Sequence, residues 1–113
     1  MLYIALHFVL PALVALAIDR DRWLRIWLVL VATMLVDVDH LLADPVYDPD
    51  RCSIGFHPLH STPAIVVYLA MFVGPMLMRR MDALREDGIV RVVALIGLGL
   101  VLHMALDGID CLV

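Results

Sequence analysis

The stretch WLRIWLVLVATMLVDVDHLL, residues 23–42, decides how the rest of the chain is read. Arg25 stands near its start and Asp37, Asp39 and His40 at its end, with a nearly unbroken apolar run between. As an α-helix, its length is about 30 Å, the thickness of a bilayer's hydrocarbon core. Three ionisable residues in four at the end of a lipid-length helix are hard to explain by packing, because charge near lipid is expensive. On either side, three further apolar runs predict helices, so that the four lie at roughly residues 2–18, 23–42, 64–78 and 89–109. The shorter runs call for tilt or local thinning of the bilayer. The architecture expected is all-α: a four-helix transmembrane bundle, one integral membrane domain over residues 1–113, with a long outer loop at 43–63.

Composition supports that class. Of 113 residues, 64% are hydrophobic and the mean hydropathy is +0.98, which leaves too few polar residues to cover a soluble domain of this size. Lysine is absent. Arg20, Arg22 and Arg25 lie at the first connection and Arg79, Arg80, Arg85 and Arg91 at the third, while Arg51 alone lies in the middle loop. Positively charged connections stay in the cytoplasm, so both termini and the middle loop are expected on the periplasmic or exterior side of the inner (plasma) membrane. Nucleic-acid binding has no support: no basic face lies outside, and Asp19, Asp21, Asp82, Glu86 and Asp87 accompany the inner arginines. The first helix is expected to be retained. Its core carries His7 and Pro11, and it lacks the basic start of a signal peptide. Cys52 and Cys111 both fall outside, where an oxidising compartment permits a disulfide. Thiolate ligation of a metal is the competing reading, disfavoured because no Cys-x-x-Cys pair exists.

All five histidines fall at the outer end. His103 and Asp107 are i and i+4, one above the other on one helical face, a spacing that lets an imidazole and a carboxylate hold one ion. The plainer reading is a structural hydrogen bond between helices. Asp37 and His40, i and i+3, share a face, and Asp39 points roughly 100° from His40 in an α-helix. One carboxylate can then ligate while the other orients a ligand, or the group is simply a helix end reaching water. His60 stands just before Pro63, which suits the first turn of a helix capped by Ser61 or Thr62. His57 is either a further ligand or an exposed loop residue. His7 is near the outer end of helix one; a lone histidine on an apolar helix is usually a core residue, but its depth matches the others. Arg51 is the natural clamp for an anion such as phosphate, or else an ordinary partner of Asp48 or Asp50. Gly74, Gly97 and Gly99 are expected to let helices three and four pack closely.

The ordered set His7, Asp37-Val-Asp39-His40, His60-Ser61 and Gly99-x3-His103-x3-Asp107 resembles the YdjM-like family of inner-membrane metal-dependent hydrolases. More distantly, it is similar to zinc-dependent phospholipase C and its related nucleases. Leu59 stands where the family has Thr, and Val36 where it has Pro. The resemblance implies His7, Asp39, His60, His103 and Asp107 as direct ligands, with Asp107 bridging where two ions are held.

The function expected is a membrane-embedded, metal-dependent hydrolase of a lipid or lipid-linked phosphoester. The ligands are drawn from His7, Asp37, Asp39, His40, His57, His60, His103 and Asp107, with one or two divalent ions, zinc by ligand type. Asp37 or Asp110 takes the proton from water, and Arg51 holds the headgroup. The alternative is a non-enzymatic metal-binding membrane protein serving transport, sensing or a metal-stapled bundle. A transporter should show polar groups through its full depth, and four short helices would need a homo-oligomer to form a pathway.

Overall fold

The computed structural model describes residues 2–42, 44, 52, 54–79 and 88–112. Among them there are four α-helices and no strand: α1 Leu2–Ile18, α2 Trp23–Ala32, α3 Thr62–Arg79 and α4 Ile89–Leu112. The connection of α1 to α2 is four residues long, so the two are antiparallel neighbours, and the Trp27 indole N–H donates to the Phe8 carbonyl across them at 3.0 Å.

α4 is the hub. It packs on α3 along one side and on α1 and α2 along the other. Ala94 and Leu95 close a core with Ala15 of α1 and Ile26 and Leu30 of α2. One turn and more toward its C-terminus, Leu100 and Met104 close a second core with Val36 and Tyr68. The glycines expected to bring α3 and α4 together behave differently from one another. A Cβ on Gly97 would lie 2.5 Å from the Phe72 backbone nitrogen, so Gly97 does set the α3–α4 approach. Gly99 faces the other way: a Cβ there would sit 2.7 Å from Thr33 Cγ2, making it the seat of the α2 side. At Gly74 a Cβ would meet nothing.

The run 23–42 does not remain one α-helix. From Thr33 to Leu42 it winds as a 3₁₀-helix, with three residues per turn instead of 3.6. The side chains therefore sort into three straight rows. Thr33, Val36 and Asp39 form a buried row; Met34, Asp37 and His40 a half-buried one; Leu35, Val38 and Leu41 an exposed one. The α-helical angle of about 100° expected between Asp39 and His40 becomes about 120°. Asp39 is thereby carried into the core, 3% exposed. Ten α residues and ten 3₁₀ residues together reach about 35 Å.

α3 begins at Thr62, earlier than the apolar pattern suggests, because Ser61 caps it: its Oγ accepts from the Ala64 N–H at 3.4 Å and donates to the Pro58 carbonyl at 2.8 Å. Among the described residues α4 is the one helix both long and apolar enough to cross a membrane by itself; α1 and α3 are apolar but shorter.

Candidate metal centre

Four elements deliver ionisable side chains to the same end of the bundle: the start of α1, the end of the 3₁₀ rod, the turn before α3, and the last turns of α4. His60 is held first. The backbone turn Pro58–His60 is closed by the Gly55 N–H donating to the His60 carbonyl at 2.9 Å and by the Tyr68 hydroxyl donating to the Leu59 carbonyl at 2.9 Å. Buried Asp39 then accepts from the Leu59 N–H at 2.8 Å and lies 3.1 Å from His60 Nδ1, both through Oδ2. A carboxylate can only accept, so Nδ1 carries the proton, and in the neutral ring the Nε2 lone pair points away from Asp39.

That Nε2 meets two carboxylates. It lies 3.3 Å from Asp37 Oδ1 and 3.0 Å from Asp107 Oδ2. His103 Nε2 lies 2.9 Å from the same Asp37 oxygen and 3.2 Å from the same Asp107 oxygen. Two nitrogens and two oxygens thus surround one point, the donor atoms all within 4.8 Å of one another. Asp107 reaches further through its second oxygen, 3.4 Å from His7 Nε2, and the His7 ring stands edge-on to His103 with centroids 4.6 Å apart. His60 Nε2 and Asp107 Oδ2 are buried and close, yet the ring N–H direction does not meet the oxygen, so neither has a hydrogen bond. Buried polar atoms left that way are costly, and a shared cation satisfies them at once.

Electrostatics describe the same need. Burial works against a charged His60, but the carboxylates of Asp107, Asp37 and Asp39 against it outweigh burial and push the imidazole up to about 10.

A second group adjoins the first. Asp39, His40 and His57 bring donor atoms within 4.8 Å of one another. His40 Nδ1 is 3.1 Å from Asp39 Oδ1, and the His40 and His57 rings face each other at 3.9 Å with a 32° tilt. His57 is buried, not an exposed loop residue.

Asp39 and Asp110 are placed otherwise than the sequence reading expected. Asp37, expected as a metal ligand or as the base, sits among His60, His103 and Asp107, while Asp39, which the resemblance implied as a direct ligand, stands behind His60 and holds it. The 3₁₀ winding decides which carboxylate goes inward: at three residues per turn Asp39 lines up with buried Thr33, whereas at 3.6 per turn Asp37 would lie near that line instead. Asp110 is exposed, one turn beyond Asp107, and belongs to neither group. Arg51, with its neighbours Asp48 and Asp50, lies outside the described residues. Cys52 and Cys111 stand at disulfide distance from each other, Cα atoms 5.1 Å apart, and take no part in either group. Tyr68 and Thr33 were not singled out in the sequence. Tyr68 pins the His60 turn, and Thr33 seats on Gly99; a tyrosine nine residues after Leu59 carries no signal of that contact by itself.

The model of a family of unknown function (DUF6122) matches residues 1–85, and the chain belongs to that family. The match takes in His7, Asp37, Asp39, His40, His57 and His60 and ends before α4. No curated protein and no solved structure matches the chain.

Proposed function

We propose that this DUF6122 member is a membrane-embedded, metal-dependent hydrolase of a lipid-borne phosphoester, similar in plan to the YdjM-like family. The convergence of Asp37, His60, His103 and Asp107 on one point carries the reading. A tetrahedral zinc ion with bonds of about 2.0–2.1 Å spaces its donors about 3.3 Å apart. The four nitrogen–oxygen distances here run from 2.9 to 3.3 Å. Imidazole mixed with carboxylate is zinc chemistry of the hydrolytic kind. When bound, the ion would supply polarisation of a phosphoryl oxygen and activation of water. Asp39 holds His60 in the ligating tautomer, and His7 steadies Asp107 from its other oxygen. The adjoining Asp39–His40–His57 group is the place for a second ion. Asp37 is the most solvent-open member of the first group, with a side chain 40% exposed, and substrate approaches from that side.

A membrane setting rests on the surface as well as on α4. Exposed large apolar residues run along every helix: Phe8 and Leu13 on α1, Leu24 and Leu28 on α2, Val66 and Val73 on α3, Val92 and Ile109 on α4. The row Leu35, Val38 and Leu41 brings that surface up beside Asp37, and Phe56 is exposed next to His57. Contiguous exposed apolar area on this scale marks contact with lipid or protein. With α2 and its 3₁₀ extension reaching about 35 Å, four crossings are compatible with a core of about 30 Å. Arginine asymmetry and the cysteine pair both favour the histidine end outside.

Elemental analysis of detergent-purified protein, wild type beside Asp107→Ala, tests the metal. One or two zinc per chain, lost in the variant, supports the site and opens screening of phospholipids and polyprenyl phosphates. Wild type that stays metal-free when zinc is offered sinks the hydrolase and leaves a proton-bearing structural network. Zinc without turnover of any cleavable lipid favours the non-enzymatic alternative.

A further inference from the structure

The end of the bundle opposite the histidines has its own cavity, of about 190 Å3, lined by Arg22, Arg25, Ile26, Val29, Gly88, Arg91, Val92 and Leu95. The lining alternates between two helices in register. Arg22, Arg25, Ile26 and Val29 are one face of the first turns of α2; Gly88, Arg91, Val92 and Leu95 are the matching face of α4. Both helices begin here and run toward the histidine end. The carbonyl of Arg22 accepts from the Ile26 N–H at 3.2 Å, and that of Gly88 from the Val92 N–H at 3.2 Å, which makes these two residues the N-caps. Arg22 makes no side-chain cap, and Gly88 has no side chain to make one, so at neither end does the N-cap side chain engage the first helical N–H groups.

Three guanidinium groups and two helix N-termini therefore surround one space, and no described lining residue is acidic. Each guanidinium has five N–H donors in a planar fork, which serves more than one partner. Arg22 and Arg91 make other contacts as well. Arg91 is buried while Arg25 reaches the surface, so the cavity grades from inside to rim. The walls below are apolar: Ile26, Val29 and Leu95. A small, multiply charged oxyanion fits the charged rim, and the apolar floor suits the carbon attached to it.

We propose that this cavity binds a phosphate group, that of an anionic lipid headgroup or of free phosphate. The site is separate from the metal centre and stands whether or not the hydrolase reading holds. It recognises phosphate by the forks of Arg22, Arg25 and Arg91.

Native mass spectrometry of the detergent-solubilised full chain tests it, with dioleoyl phosphatidylglycerol and dioleoyl phosphatidylcholine titrated separately. Calorimetric titration with inorganic phosphate runs beside it. Arg25→Gln, Arg91→Gln and the exposed, non-lining Arg20→Gln are compared, with zinc content measured on each sample. Expected is one phosphatidylglycerol per chain, held at least tenfold more tightly than phosphatidylcholine. Arg25→Gln and Arg91→Gln should weaken it tenfold or more, Arg20→Gln should not, and zinc content should stay constant. Arginine-dependent binding of inorganic phosphate with no lipid preference supports the site and assigns it to the free ion. Binding that Arg25→Gln and Arg20→Gln alter equally, or no saturable binding of either probe, overturns the proposal. Arg25 is at the surface, so its variant remains decisive if Arg91→Gln fails to fold.

Discussion

Asp39 and Asp37 are two residues apart and do different work. Asp39, buried, accepts from the Leu59 N–H and faces His60 Nδ1; Asp37 faces His60 Nε2 and His103 Nε2. A carboxylate behind a ligating histidine typically tunes metal affinity 10- to 100-fold. Asp39→Asn is therefore expected to weaken zinc binding at the Asp37–His60–His103–Asp107 group by about that factor while that ion still binds at saturation, whereas Asp37→Asn should remove one of its donors outright. Competition with a chromogenic chelator separates the two; identical behaviour of both variants would make Asp39 a direct ligand of that same ion. His60 sets the pH behaviour. Its pKa in the metal-free protein is raised to about 10 from an ordinary 6.5. A raised folded-state pKa stabilises fully below the unfolded value and is lost as pH climbs through the folded one. Chelator-treated protein should thus lose thermal stability between pH 7 and pH 10, while zinc-loaded protein, whose His60 must be neutral at Nε2, should bind metal more tightly over the same rise.

At the scale of elements, the glycines of α3 and α4 give a direct contrast. A methyl at Gly97 runs into the Phe72 and Met71 backbone, which cannot step aside without moving α3. Gly97→Ala is expected to destabilise by about 1–3 kcal/mol, the usual cost of overpacking. Gly74→Ala meets open space and should be neutral or gain up to about 1 kcal/mol from helix propensity. Thermal unfolding in detergent, read by circular dichroism, compares them; equal loss from both would place the α3–α4 contact elsewhere. The 3₁₀ rod is the other element whose geometry matters. A ten-residue 3₁₀ run is uncommon, and here its straight rows align Asp39 with buried Thr33 and Val36 and leave Asp37 half-buried and Leu35, Val38 and Leu41 as an exposed stripe.

For the molecule as a whole, the Cys52–Cys111 link closes 59 residues of sequence and ties the segment ahead of the His57–His60 turn to the end of α4. Chain entropy over such a loop is worth about 4 kcal/mol. Cys52→Ser, or reductant on the wild type, is expected to lower the melting temperature and to loosen zinc retention together, because both anchor points lie close in sequence to the candidate ligands His57, His60 and Asp107. An unchanged metal off-rate in reduced protein would uncouple the two. Orientation is tested by fusion: alkaline phosphatase at the C-terminus should be active and green fluorescent protein there dark, as a periplasmic end requires.

The all-α class, the apolar runs and the gathering of five histidines at one end were legible in the sequence. They depend on hydrophobic length, on i, i+4 spacing and on the alternation of direction that short connections impose. That Cys52 and Cys111 come within disulfide distance was foreshadowed in the same way, as both lie at the histidine end. Which carboxylate meets which imidazole was not. An α-helical reading of residues 33–42 assigns angles of 100°, and only the folded rod, seated by Thr33 on Gly99, winds at three residues per turn and sends Asp39 inward. The roles of Gly97, Gly99 and Gly74 likewise depend on which backbone lies opposite each one. The arginine cavity is a tertiary fact as well: Arg22 and Arg91 are 69 positions apart, and only the parallel run of α2 and α4 brings their N-termini side by side. Local chemistry and periodicity set which residues reach the site; contact between helices set how they face one another.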